Sequence, residues 1–289
     1  MSFSTLTLLA LSFLPSTLAA TGTFSTLTLN VAGLPSWIND NGVPGDKADA
    51  ATMIGQKFAQ YNYDIIQIQE DFHYHDEIYA ADNHPFRTKT SGDVPFGSGL
   101  NTLSNYNWTT LERITWDECF IADGDCLTPK GFTFMRLQLA EGVEVDFYNL
   151  HADAGQEDGD QEARRENLRQ VVERVRSVSA GRSVVVEGDT NSLYSRTTDD
   201  VGVFGQVGLG DAWVERVYGG VIPTNVPKCP GPTTDNTCEV YDKILYRSGD
   251  SVKLNATSFD YVTDMFLQPD GSILTDHNAV LAEFSWSSV

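Results

Sequence analysis

Val184-Val185-Val186 constrains this chain more than any other segment. Three β-branched residues in a row crowd a helix and suit an extended strand. No polar residue separates them, so the strand must be covered on both faces, which places a sheet at the centre of a layered structure. The strand runs straight into Glu187, Gly188, Asp189, Thr190 and Asn191. Oxygen-bearing side chains gathered where a buried strand emerges form either a polar turn or the rim of a metal and phosphate site.

The rest of the chain supplies more strands than helices. Residues 23–35 alternate apolar and polar positions and stop at Gly33 and Pro35. Residues 64–72, 97–106, 131–139, 144–155, 243–248 and 279–286 read as further strands, with Ile66, Ile68 and Glu70 on one face. Residues 46–61 read as a helix. Residues 158–178 form the clearest one, with Leu168, Val171, Val172, Val175 and Val178 at three- and four-residue steps. Helices that intervene irregularly among many strands predict a mixed α/β layered fold rather than a simple βαβ series.

The chain has 40 acidic and 19 basic residues, a net charge of −21. A field of that sign repels polyanions and disfavours non-specific nucleic-acid binding, although a local pocket escapes it through screening. The opening MSFSTLTLLALSFLPSTLAATG reads as a secretory signal covering residues 1–20. Phe3 to Leu14 is apolar, Pro15 breaks it, and Thr17-Leu18-Ala19 offers a small-residue cleavage site, although no Lys or Arg precedes the apolar run. Residues 21–289 are then one catalytic domain, exported to the extracellular space and expected to be a monomer. The four cysteines agree with export. Cys119 with Cys126 and Cys229 with Cys238 is the simplest of three possible pairings. Asn107 and Asn255 head sequons expected on surface loops.

Polar residues collect at six strand ends: Asn30, Glu70, His151 with Asp153, Asp189 with Asn191, Asp242, and Asp276 with His277. One such end is ordinary turn chemistry. Six, holding two of the five histidines, indicate a shared site. The ordered set is a strand-end Asn, Gln-Glu, Asn-Leu-His, Gly-Asp-x-Asn, Tyr-Asp-Lys-Ile and Asp-His. It resembles the endonuclease/exonuclease/phosphatase superfamily, the group similar to DNase I and the neutral sphingomyelinases. The resemblance spans Asn30 to His277. It implies two packed β-sheets flanked by helices, a four-layer sandwich of the DNase I-like type, with one site at the rim fed by both halves of the chain.

Cleaving a phosphate ester requires negative charge to be stabilised, a water to be aligned and a leaving oxygen to be protonated. The resemblance implies Glu70, Asp276 and the carbonyl of Asn30 as ligands of Mg²⁺, with Mn²⁺ or Ca²⁺ as alternatives. Asp189 would position the water, and Asn191 would touch a phosphoryl oxygen. His277 would act as general base with Asp242 behind it. His151 would serve the phosphate or the leaving group, with Gly188 leaving room for close approach. Lys243 is read as a substrate contact, and Glu187 as facing away. His73 and His75 are read as surface residues and His84 as a loop residue. Asp153 is either part of the site or a loop cap.

The substrate is expected to be a phosphodiester, a lipid head group ahead of nucleic acid. In the DNase branch an arginine follows the strand-end glutamate by two residues, and Phe72 stands there instead. Asn30-Val31-Ala32-Gly33-Leu34-Pro35 resembles the sphingomyelinase-like branch, and Trp37 would sit at a lipid–water interface if exposed. A nuclease, a phosphatase of small organic or inositol phosphates, and a silent binding protein on the same scaffold are the other readings.

Overall fold

A computed structural model describes residues 19–122 and 124–289. The expected secretory segment, apart from its last residues, lies outside them. In chain order the elements are β1 (Thr21–Asn30), α1 (Lys47–Tyr61), β2 (Ile65–Gln69), α2 (His75–Ala81), β3 (Phe86–Arg87), β4 (Asn101–Ser104), β5 (Trp108–Thr115), β6 (Gly131–Ala140), β7 (Val143–His151), α3 (Asp158–Val178), β8 (Val184–Asp189), β9 (Gly210–Asp211), α4 (Ala212–Tyr218), β10 (Asp242–Arg247), β11 (Val252–Tyr261) and β12 (Val280–Ser288). They build two six-stranded sheets, ordered β11-β12-β1-β2-β4-β3 and β5-β6-β7-β8-β10-β9. The two ends of the chain thus share the first sheet, and the middle builds the second.

The period-2 alternation of the strands sets the layers. Phe24 of β1, Ile65 of β2, Phe147 of β7, Val185 of β8 and Ile244 of β10 meet between the sheets. The Phe24 and Phe147 rings lie 5.9 Å apart, edge to face. Leu27, Leu29, Ile66 and Ile68 point the other way, onto Ile54 and Phe58 of α1. Val184 and Val186 lie against Leu168, Val171, Val172 and Val175 of α3. Each of those four side chains contributes on the order of 2 kcal/mol by burial, which outweighs the few tenths that valine costs a helix. Glu157 and Asp160 close a reciprocal capping box at the start of α3.

Towards one rim the inter-sheet face turns polar. Phe24 is followed on its side of β1 by Thr26, Thr28 and Asn30, and Val185 on its side of β8 by Glu187 and Asp189. Gln69 donates to Asn149 across the gap at 2.7 Å, and Thr26 donates to Glu187 at 2.7 Å. Glu187 therefore does not face away. It is buried beneath the rim, on the same side as Asp189, because the two lie two positions apart on a strand.

Six elements are absent from the sequence reading: α2, α4, β5, β11 and the two-residue strands β3 and β9. The strand β11 alternates between buried and exposed positions on either side of a bulge between Ala256 and Ser258 and forms an edge, so Asn255 projects from a strand rather than a loop. Asn107 is exposed just before β5. Both cysteine pairs are disulfides as expected, Cys119–Cys126 and Cys229–Cys238.

Candidate active site

Strand directions bring the polar ends together. Parallel β1 and β2 finish side by side at Asn30 and Gln69, and parallel β7 and β8 finish at His151 and Asp189. Antiparallel β10 begins at the same edge, with Asp242 opposite Asp189. His277 precedes β12, which runs antiparallel to β1 and so starts where β1 ends.

Glu70 reaches this cluster by breaking its strand. Continued alternation would put it with Ile66 and Ile68 on the helix-covered face, as the sequence reading has it. Instead β2 stops at Gln69, and Glu70 adopts a left-handed φ of 54° that turns the carboxylate towards Asn30. A non-glycine residue held there costs on the order of 1 kcal/mol, and the surrounding contacts over-determine it. Gly33 packs so close that a Cβ on it would lie 2.2 Å from the Glu70 carbonyl oxygen. Gly188 has a related cause: its missing Cβ makes room for the Leu150 carbonyl of β7, not for a substrate.

Asn30 Nδ2 donates to Glu70 Oε1 at 3.0 Å and to Asp189 Oδ2 at 3.2 Å. Its carbonyl accepts from Ala32 N, so Asn30 presents N–H groups to the carboxylates rather than the ligand oxygen expected of it. His151 Nε2 lies 3.6 Å from Asp189 Oδ2 and 3.9 Å from Glu70 Oε1. His277 Nδ1 donates to Asp242 Oδ2 at 3.0 Å, and its Nε2 lies 3.7 Å from Asp189 Oδ2. Asn191, also left-handed at φ 47°, donates from Nδ2 to Ala152 O, and its backbone N–H donates to Asp189 Oδ1.

The two histidines differ in charge. Burial, then Lys130 and then His277 push the His151 imidazole well below its ordinary pKa, so it is neutral. Burial also opposes charge on His277, but Asp242 and Asp189 together outweigh it and hold the ring charged. Burial raises the Asp189 carboxyl, and His277 pulls it part of the way back.

The donor set fits a hard divalent cation. Glu70 Oε2 and Asp242 Oδ1 are buried and have no hydrogen-bond partner, and an unpartnered buried carboxylate oxygen needs positive charge beside it. Asp189, Asp242 and His277 also bring ligand atoms within 4.8 Å of one another. Asp276 does not join that buried group. It is exposed and accepts from Asn41 Nδ2 at 3.1 Å, because its neighbour His277 projects inward.

Lys243 is also elsewhere. It alternates with Asp242 and so points out of the opposite face of β10, where its buried ammonium donates to Glu239 at 2.9 Å and to Val240 O. Phe72 is buried and packs under Gly99, so no cation occupies that place. His75 is buried against Asp71 rather than at the surface, His84 lies in a loop as expected and is buried against Asp82, and His73 is exposed on Asp93. Asp153 is buried and accepts from Phe120 N, which ties the first disulfide loop down. Trp37 is 81% exposed on the loop after β1.

The sequence reading missed Lys130. Its ammonium lies 3.2 Å from His151 Nε2 and pairs with Asp125, a buried residue inside the loop closed by Cys119–Cys126. The signal was the position of Lys130 at the mouth of β6, next in the sheet to β7, which ends at His151.

A site of carboxylates and two histidines at the rim of paired mixed sheets defines a phosphoesterase-type scaffold. The chain belongs to the endonuclease/exonuclease/phosphatase family: the pattern of endonuclease/exonuclease/phosphatase family 2 matches residues 47–215. A sphingomyelinase of Mycobacterium tuberculosis is 37% identical over 273 residues, 92% of this chain and 53% of that protein. The chain thus spans about half the length of the curated relatives it matches. The D. rerio TDP2 structure complexed with a single-strand DNA product superposes with a TM-score of 0.68 at 17% identity, covering 91% of this chain and 98% of that one. Staphylococcus aureus beta toxin with bound magnesium ions superposes with a TM-score of 0.62 at 14% identity, covering 90% and 99%. The fold is the expected four-layer sandwich.

Proposed function

We propose that the chain is a secreted, Mg²⁺-dependent phosphodiesterase acting on a sphingomyelin-type phospholipid head group. The observation that carries the reaction class is the convergence of Glu70, His151, Asp189, Asp242 and His277 at one rim, with charged and neutral histidines side by side. Glu70, through its unpartnered oxygen, and Asp242 are the residues placed to hold the cation. Bound there, Mg²⁺ would supply positive charge against the phosphoryl oxygens.

The chain's own groups divide the remaining work. His277 accepts the proton of the attacking water once its own Nε2 proton has left to solvent. Nδ1–H bound to Asp242 then keeps Nε2 as the acceptor, and Asp242 and Asp189 stabilise the imidazolium that results. Asp189 orients that water, and Asn30 in turn orients Asp189. His151 and Lys130 face the phosphate from the other side, where the ammonium offsets developing charge. Asn191, released from Ala152 O, offers an N–H to a phosphoryl oxygen.

The lipid reading rests on the 37% identity to the mycobacterial sphingomyelinase and on apolar side chains around the rim. Trp37, Ile38, Phe96 and Leu127 are exposed on three loops. His73 bridges two of those loops, pairing with Asp93 and donating from its backbone to Gly33 O. Among the described residues no helix is long and apolar enough to cross a membrane, so contact with lipid would be made by such loops. The two disulfides support an oxidising, extracellular setting. The test offers sphingomyelin vesicles and plasmid DNA to the purified protein with Mg²⁺. Release of phosphocholine without nicking is expected. Nicking without lipid turnover would make the protein a nuclease.

A further inference from the structure

A cavity of about 380 Å³ opens from the catalytic pair Asp242 and His277 and is bounded by Lys228, Pro230, Tyr241 and Asp276. Lys228 holds its ammonium 4.3 Å from the centroid of the Tyr241 ring. Its backbone is fixed. Lys228 bridges Glu239, Cys229 N donates to Glu239 O, Glu239 N donates to Pro227 O, and the Cys229–Cys238 disulfide closes the segment. The side chain itself is exposed.

The other cations near this rim already have protein partners. Lys130 is paired with Asp125, and Lys47 donates to Asn39 O and Asn41 Oδ1. Arg196, which also lies over the Tyr241 ring, is bound to Asp199 and to Asn191 O. Lys228 has no carboxylate within ion-pair distance among the described residues, in a chain with 40 acidic residues. A basic side chain left unpaired in a cavity lined by three carboxylates, Glu239, Asp242 and Asp276, and rested on an aromatic face, has its charge available to an incoming anion.

We infer that Lys228 is a substrate-contacting residue. Its ammonium leaves the Tyr241 face to meet a non-bridging oxygen of the phosphodiester as it enters the cavity beside His277. This rests on the phosphoesterase reading above. The contact forms on binding and persists through the reaction, so it strengthens binding of substrate and transition state alike and acts on KM rather than kcat.

The test compares wild type with Lys228→Met and Lys228→Arg. It measures Mg²⁺-supported hydrolysis of bis-p-nitrophenyl phosphate over a salt series, and calorimetric binding of inorganic phosphate. Loss of one charge-assisted hydrogen bond at an accessible site predicts KM and phosphate Kd raised about 5- to 30-fold in Lys228→Met, with kcat within about 3-fold. Lys228→Arg should recover most of the affinity, and salt should weaken wild type more than Lys228→Met. A structural role in the loop would lower the melting temperature and leave the salt dependence alone. An active wild type with KM and phosphate affinity unchanged in Lys228→Met overturns the inference and spares the phosphoesterase reading. A wild type that cleaves no ester overturns that reading. Phosphate affinity then decides on Lys228 by itself: equal affinity in the two proteins, or no binding to either, refutes the contact.

Discussion

Replacing Glu187 with Gln should flatten the dependence of stability on pH. Glu187 is fully buried between the sheets, and its carboxyl accepts only from Thr26, at 2.7 and 2.9 Å. Burial, partly countered by that hydrogen bond, raises it from an ordinary 4.5 to about 8. A group whose folded pKa is raised binds its proton more tightly in the folded state. Its stabilisation is complete below the unfolded value and is lost as pH climbs through the folded value, so the window runs from about 4.5 to about 8. Within it, one proton gives a slope of roughly 1.4 kcal/mol per pH unit, and the whole span has a ceiling on the order of 5 kcal/mol. Gln keeps the acceptor for Thr26 and cannot ionise. Urea unfolding of both proteins at half-unit steps from pH 4.5 to 8.5, in EDTA, reads the difference. Wild type should lose stability with rising pH faster than Glu187→Gln, by about 1 kcal/mol per unit. Parallel curves would refute the reasoning and mean that Glu187 ionises freely despite its burial.

Three other outcomes are expected. Glu70→Gln removes the unpartnered carboxylate oxygen, so the Mg²⁺ concentration for half-maximal activity should rise by about tenfold or more, from the loss of one charged ligand; an unchanged titration excludes Glu70 as a ligand. Trp37→Ala, at an exposed position, should reduce turnover of sphingomyelin vesicles about tenfold and leave bis-p-nitrophenyl phosphate untouched, because an interfacial ring contributes on the order of 1–2 kcal/mol only where there is an interface. Lys130→Ala should cost on the order of 10²-fold in kcat by removing the ammonium beside His151; an unchanged kcat would make the lysine a structural partner of Asp125.

Side-chain chemistry at strand ends was legible, because each candidate borders an apolar run, Asn30, Glu70, His151 and Asp189 after one and Asp242 and His277 before one, that is visible without a fold. The meeting of those ends was carried by the resemblance, since only strand order and direction put Asn30 and Asp189 in contact. What stayed hidden has particular causes. Alternation puts Glu70 on the wrong face, because nothing local announces its left-handed turn. Lys243 looks like a phosphate ligand beside Asp242, yet neighbouring strand residues point to opposite faces. Asp276 is adjacent to His277 and diverges from it for a similar reason. The edge strand β5 buries neither face consistently, so its sequence carries no period. The strand β11 changes phase at the bulge between Ala256 and Ser258, so its alternation is too short on either side to announce a strand. Lys130 and Asp125 act through a disulfide loop, and their contact with His151 crosses from β6 to β7.

The central claim is that both halves of the chain form one phosphate-cleaving centre on His277, Asp189 and Glu70. Its most direct test is the rate of bis-p-nitrophenyl phosphate hydrolysis by wild type, His277→Ala and Asp189→Asn, each with Mg²⁺ and with EDTA, after matching melting temperatures establish folding. The account predicts Mg²⁺-dependent turnover by wild type and losses on the order of 10²–10⁴-fold in each variant. Turnover that survives in His277→Ala, or that is indifferent to EDTA, would contradict it.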